Sequence, residues 1–93
     1  MESKLQAKGI KFLKSQGCWV MKTRPGMGTP TATLDVVFFK EGFYGWWEFK
    51  ASEDSPYRPG QKEMLEKFSD WSYAKAVYPE NYDTIVEELL TML

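Results

Sequence analysis

Residues 34–50 read LDVVFFKEGFYGWWEFK, and this stretch decides the fold. Two runs rich in β-branched and aromatic side chains flank Glu41-Gly42, a pair suited to a tight turn. Residues 34–40 and 43–50 are therefore predicted as the two arms of a β-hairpin. On a strand, side chains two apart share a face. Asp35, Val37 and Phe39 project together from the first arm. Trp46, Glu48 and Lys50 project together from the second, and Trp47 and Phe49 point the other way. A hairpin centred on residues 41–42 brings Asp35 opposite the end of the second arm, near Glu48 and Lys50.

An acid and a base side by side on one strand, with a second acid supplied by its neighbour, can bind a hard divalent metal and polarise a water. Asp35 and Glu48 are the expected metal ligands, with the backbone carbonyl of Phe49. Two carboxylates this close repel one another unless a cation sits between them. Lys50 is suited to orient or help deprotonate the attacking water and to offset charge building on a phosphate. The metal would act as a Lewis acid and lower the water's pKa. This is the minimum equipment for hydrolysing a phosphodiester bond.

Composition narrows the choices. A chain of 93 residues predicts one domain, residues 1–93. Hydrophobic residues at 43% supply a core, but at this size it is marginal and a second subunit would help. There is no histidine and a single cysteine, Cys18. That excludes His-based catalysis, His- or Cys-ligated zinc and an intramolecular disulfide. A metal must then be held by oxygens, which favours Mg²⁺ or Mn²⁺. No apolar run has the length to span a membrane, and residues 1–4 lack a signal-peptide layout. A cytoplasmic setting is expected.

The net charge of −1 hides an asymmetry. Residues 1–34 carry six basic side chains and one acidic one, whereas residues 35–93 carry six basic and twelve acidic. The first third is a cationic surface, which taken alone reads first as a solvated face and only second as a site for a polyanion partner.

Working outward from the hairpin, residues 3–16 read as a helix. Leu5, Phe12 and Leu13, with Ile10 nearby, face the core, and Lys4, Lys8 and Lys11 form an outer stripe. Gly17 is a helix stop and residues 18–23 a strand. Residues 25–33 form a Gly/Pro loop, and residues 51–58 a polar one. Pro59 suits a helix start, followed by a stripe of Met64, Leu65, Phe68 and Trp71. Residues 74–78 read as a short strand, and residues 82–93 as an amphipathic helix through Ile85, Val86, Leu89 and Leu90. The order is αβββαβα.

The layout Asp35…Glu48-Phe49-Lys50 resembles the PD-(D/E)xK nuclease superfamily. More narrowly, the chain resembles the small stand-alone VRR-NUC (virus-type replication-repair nuclease) domains of phages. The elements that carry the resemblance are Glu2, Lys22, Gly28-Thr29-Pro30, Asp35, Glu48, Lys50 and Pro59-Gly60-Gln61, which span nearly the whole chain. One departure stands out. The family has proline directly before the aspartate, whereas Leu34 precedes Asp35 and Pro30 lies five residues earlier.

The resemblance implies an α/β, restriction-endonuclease-like αβββαβα core with a mixed central sheet flanked by helices. It implies Glu2 as a further ligand able to hold metal-bound water. Gln61 becomes an active-site residue that hydrogen-bonds Lys50, a water or a phosphate. Lys22 and Arg24 are expected on DNA phosphates, with Lys4, Lys8 and Lys11 continuing that path. Tyr57 and Arg58 would guide the substrate beside the site. Trp46 is expected in the core or as a wall of the site, and Trp71 and the final helix in core or dimer contacts. The implied activity is a phage-encoded, Mg²⁺- or Mn²⁺-dependent DNA endonuclease, a homodimer cutting branched DNA such as four-way junctions. A nuclease for flaps or ends, an RNA-directed nuclease and a catalytically inactive DNA-binding module remain open. Asp35, Glu48, Lys50 and Gln61 occurring together argue against the last.

Overall fold

A computed structural model describes residues 2–23 and 33–93, with side chains from residue 4 onward. The elements are α1 (Glu2–Ser15), β1 (Trp19–Lys22), β2 (Val36–Lys40), β3 (Phe43–Phe49), α2 (Gln61–Trp71), β4 (Ala74–Val77) and α3 (Tyr82–Leu90). Their order is the αβββαβα read from the sequence. The strands form one mixed sheet, β1-β2-β3-β4, antiparallel except for the parallel pair β3–β4. A parallel pair needs a crossover, and α2 supplies it.

The hairpin turns where Glu41-Gly42 directs it. Lys40 pairs directly with Phe43, and the register runs inward to Val37 opposite Trp46 and Val36 opposite Trp47. Alternation then sorts the side chains onto two faces. On one, Val36, Phe38, Trp47, Phe49 and Val77 pack with Leu13 of α1 and with Tyr82, Ile85 and Leu89 of α3. On the other, Trp46, Ala74 and Ala76 pack with Met64, Leu65 and Phe68 of α2, and Leu34 joins them. Fully burying one such side chain stabilises the fold by roughly 1.5–3 kcal/mol.

Gly9 lets α1 lie close on the strand that carries the site. A Cβ there would come within 2.9 Å of the Phe49 ring and 3.1 Å of Trp47. No helix among the described residues is long and apolar enough to cross a membrane.

Several boundaries differ from the sequence reading. Asp35 precedes β2 and Lys50 follows β3, so both are flanking positions rather than strand residues. Helix α2 starts at Gln61, not at Pro59. Gly60 caps it with φ 86°, a left-handed conformation that a bulkier residue resists, and the chain turns there after Pro59. The Trp71 side chain is 64% exposed and lies outside the core. The final helix ends at Leu90, itself exposed. Residues 24–32, which take in Arg24, Gly28, Thr29, Pro30 and all of the Gly/Pro loop but Thr33, lie outside the described residues, as does the Glu2 side chain.

Candidate active site

The last ladder pair of the hairpin is Val36–Trp47. One step outward, Asp35 faces Glu48, and hydrogen bonds hold the two there. The Asp35 N–H donates to Glu48 Oε1 at 3.0 Å, and the Phe49 N–H donates to Asp35 Oδ2 at 2.9 Å. The end of β1 fixes the backbone beneath them. The Thr23 N–H donates to the Asp35 carbonyl at 2.9 Å, and Thr23 Oγ1 donates to the Leu34 carbonyl at 2.7 Å. Both carboxylates are therefore set by main-chain geometry rather than by side-chain rotamers alone.

The Lys50 backbone continues the β3–β4 ladder, its N–H donating to the Val77 carbonyl at 2.8 Å. Its side chain is 5% exposed, and its ammonium sits 3.5 Å from the centroid of the Tyr57 ring. Gln61, the first residue of α2, is 1% exposed. Its Oε1 accepts from the Arg58 N–H at 3.1 Å, which fixes the amide's orientation. Its Nε2 is fully buried, makes no hydrogen bond of standard geometry and is directed toward the Glu48 carboxylate, whose charged form it favours. A buried donor left open in this way marks a place where a water, an anion or a carboxylate belongs. The Arg58 guanidinium donates to the Thr33 carbonyl at 3.2 Å.

These groups line one pocket of about 230 Å³, walled by Asp35, Glu48, Lys50, Ser55, Arg58 and Gln61 among others. Burial and, secondarily, the charge of Asp35 push the Glu48 carboxyl up to about 7. The Gln61 amide, the Asp35 N–H and Arg58 pull against that rise. A carboxyl whose charge is opposed by burial and by a second acid is one whose ionised form a cation would stabilise. The donors present, two carboxylates and the Phe49 main-chain carbonyl, are all oxygens and suit Mg²⁺ or Mn²⁺. Among the described residues no third acidic side chain joins Asp35 and Glu48.

Of the residues predicted for the site, the structure brings Asp35, Glu48, Lys50 and Gln61 together. Arg58 joins them more closely than its expected role on DNA suggested, acting on Glu48 as well as facing the pocket. Trp46 stacks on Phe68 at 4.9 Å and belongs to the α2 core. The predicted lysine stripe divides. Lys11 and Lys22 meet in a groove of about 500 Å³ between α1 and β1, together with Lys14, which was not among the expected DNA-binding residues. Lys14 was legible as the i+3 neighbour of Lys11 on the same helix face. Lys8 instead lies 4.8 Å over the ring of Tyr82, away from that groove, and Lys4 is exposed outside it. In comparisons with family models, curated proteins and solved structures, the chain matches none.

Proposed function

We propose that this chain is a metal-dependent endonuclease that hydrolyses DNA phosphodiester bonds, built on a restriction-endonuclease-like core of the VRR-NUC kind. The observation that carries the reading is the convergence of Asp35, Glu48, Lys50 and the buried Gln61 amide on one pocket. Asp35, Glu48 and the Phe49 carbonyl would hold Mg²⁺ or Mn²⁺. The chemistry such an ion supplies is Lewis-acid polarisation of the phosphate and a lowered pKa for a bound water.

The chain's own groups account for the rest. Lys50 brings a cation to the phosphate and orients the attacking water. Gln61 Nε2 donates to a phosphate oxygen or to that water. Arg58 adds positive charge in the pocket, within reach of Glu48. All three are donors fixed before substrate arrives, which is where electrostatic catalysis has its advantage. Lys22 pairs with Val36, next to Asp35, so the groove of Lys11, Lys14 and Lys22 includes the same end of the sheet, on the α1 face rather than the face of Asp35. It supports a path for the DNA backbone.

A homodimer acting on four-way junctions is the substrate geometry we favour, because two sites related by a two-fold axis suit two symmetric cuts. Its support is an apolar surface on the half of the sheet that α2 leaves open. The ladder positions there carry Trp19, Met21 and Phe39, all exposed, and the half-buried Tyr44, none of them charged, beside the buried Val37.

The test is cleavage of a labelled synthetic four-way junction beside linear duplex, with Mg²⁺ or Mn²⁺, by wild type and Glu48→Ala. Paired cuts in the junction, absent with the variant, are expected. Cuts in flaps or ends alone would keep the nuclease and discard the junction. Binding without any metal-dependent cleavage would leave a DNA-binding module.

A further inference from the structure

Lys50 is a buried cation whose placement needs an account. Taking an ammonium out of water is costly unless something offsets its charge. Among the described residues Lys50 makes no ion pair, although Glu48 lies two positions away on the same side of the sheet. Its partner is the face of Tyr57, at 3.5 Å from the ring centroid. Tyr57 belongs to the loop between β3 and α2; burial, then Tyr78 and least Glu48, raise its pKa, which places it within electrostatic reach of Glu48.

We propose that Tyr57 is a positioning residue that seats Lys50 on its ring and keeps the ammonium off the Asp35–Glu48 pair. The inference rests on the nuclease reading above and assigns a residue that the reading does not require. The reason for such a seat is competition. An ammonium and a divalent cation seek the same two carboxylates, and a lysine resting on them would have to be displaced before a metal could bind. The negative face of an aromatic ring attracts the ammonium without that conflict. It also offers no directed lone pair, so the N–H groups stay available for a phosphate oxygen or a water.

The experiment compares wild type, Tyr57→Leu and Tyr57→Phe by two readouts. The first is Mn²⁺ affinity, from the electron paramagnetic resonance signal of the free ion. The second is cleavage of whichever DNA substrate the wild type cuts. Tyr57→Leu is expected to weaken Mn²⁺ binding several-fold and to lower kcat about tenfold with KM unchanged. Tyr57→Phe, which keeps the ring, should restore most of both. In a Lys50→Met background, Tyr57→Leu should no longer change Mn²⁺ affinity, because the competing ammonium is gone.

Replacing Tyr57 by pentafluorophenylalanine keeps the ring's shape and reverses its quadrupole. It should reproduce the defect, which covers the case in which Tyr57→Leu does not fold. Mn²⁺ affinity and rate equal to wild type in both the leucine and the fluorinated variant would overturn the proposal. So would a Tyr57→Phe defect as large as that of Tyr57→Leu, or an undiminished effect in the Lys50→Met background. If the wild type cleaves nothing, the nuclease reading fails while the Mn²⁺ comparison still decides the role of Tyr57. A wild type that binds no Mn²⁺ ends both.

Discussion

Glu48 accepts a hydrogen bond from the backbone N–H of Asp35 at 3.0 Å, so the two acids are tied across the hairpin even as their charges repel. The tie keeps Glu48 in the pocket, and burial with Asp35 holds its carboxyl near 7 against an ordinary 4.5. The linkage has a definite sign. Between about 4.5 and 7 the folded chain keeps a proton that the unfolded chain has released, so stability falls as pH rises through that window. The penalty is absent below the window and complete above it. At about 1.4 kcal/mol per pKa unit, it is on the order of 3 kcal/mol.

Glu48→Gln, whose amide oxygen can still accept from Asp35, removes the titration. Its melting temperature is expected to match wild type near pH 4 and exceed it at pH 8. Adding Mg²⁺ at pH 8 should raise the wild-type value and leave the variant's nearly unchanged. Thermal melts of both proteins across this range decide it. A wild-type curve parallel to that of Glu48→Gln would mean that Glu48 is not strained in the fold.

Gln61 separates catalysis from stability. Gln61→Leu removes one satisfied acceptor, used by the Arg58 N–H, and one buried donor that faces Glu48 without a hydrogen bond of standard geometry. A net hydrogen bond is worth about 1 kcal/mol, and an unsatisfied buried group costs about 1–3 kcal/mol. The two effects oppose, so unfolding free energy should change by less than about 1 kcal/mol. Cleavage should nevertheless fall at least about tenfold, since on the proposed mechanism this donor serves the phosphate or the attacking water. Denaturant unfolding alongside single-turnover rates makes the comparison. A variant that loses stability and keeps its rate would show Gln61 to be a structural residue.

The hairpin and the meeting of Asp35 with Glu48 were legible because a two-residue turn at Glu41-Gly42 fixes the register by counting. Every side chain then follows from alternation. The face carrying the site was legible for the same reason. What the sequence did not disclose depends on contacts between distant segments. That Arg58 bridges to Thr33 and acts on Glu48 needs the loop after β3 to fold back over the strand ends. That Lys50 rests on Tyr57 needs the same loop geometry, for which no periodicity exists. Trp71 fitted an apolar stripe on paper, but it is the last residue of a three-turn helix and stays exposed, touching Phe68 and Lys67 of its own helix. Gly9 gave no signal, because a glycine within a helix reads as a weakness until Phe49 and Trp47 are seen against it.

The open half of the sheet sets a prediction about assembly. Trp19 and Phe39 pair across β1 and β2 with ring centroids 5.7 Å apart, and both are exposed. Aromatic, uncharged surface of this kind resembles the centre of protein interfaces rather than their rims. Light scattering should give twice the 10.8 kDa chain mass for wild type and the single mass for Trp19→Lys with Phe39→Lys. The melting temperature of the variant should depend less on protein concentration. A monomeric wild type at tens of micromolar would remove the homodimer from the proposal.

The last prediction concerns the groove between α1 and β1. Lys11, Lys14 and Lys22 are all exposed and share it, yet they come from two elements, so a linear cationic tract is not the determinant. A lysine that neutralises a DNA phosphate releases condensed counterions, and each such lysine steepens the fall of log K with log salt by about 0.9. Changing all three lysines to glutamine should therefore weaken DNA binding at low salt and make that slope shallower by about 2–3. The weakening should be similar for every DNA sequence, because phosphate contacts do not discriminate between bases. Lys8→Gln serves as the contrast: it removes the same charge from the same helix, but from a side chain turned onto Tyr82. Its slope should stay within about 0.5 of wild type. If Lys8→Gln and the groove variants lower the slope equally per charge, binding follows the overall field of the cationic third and the groove is not a path for the backbone.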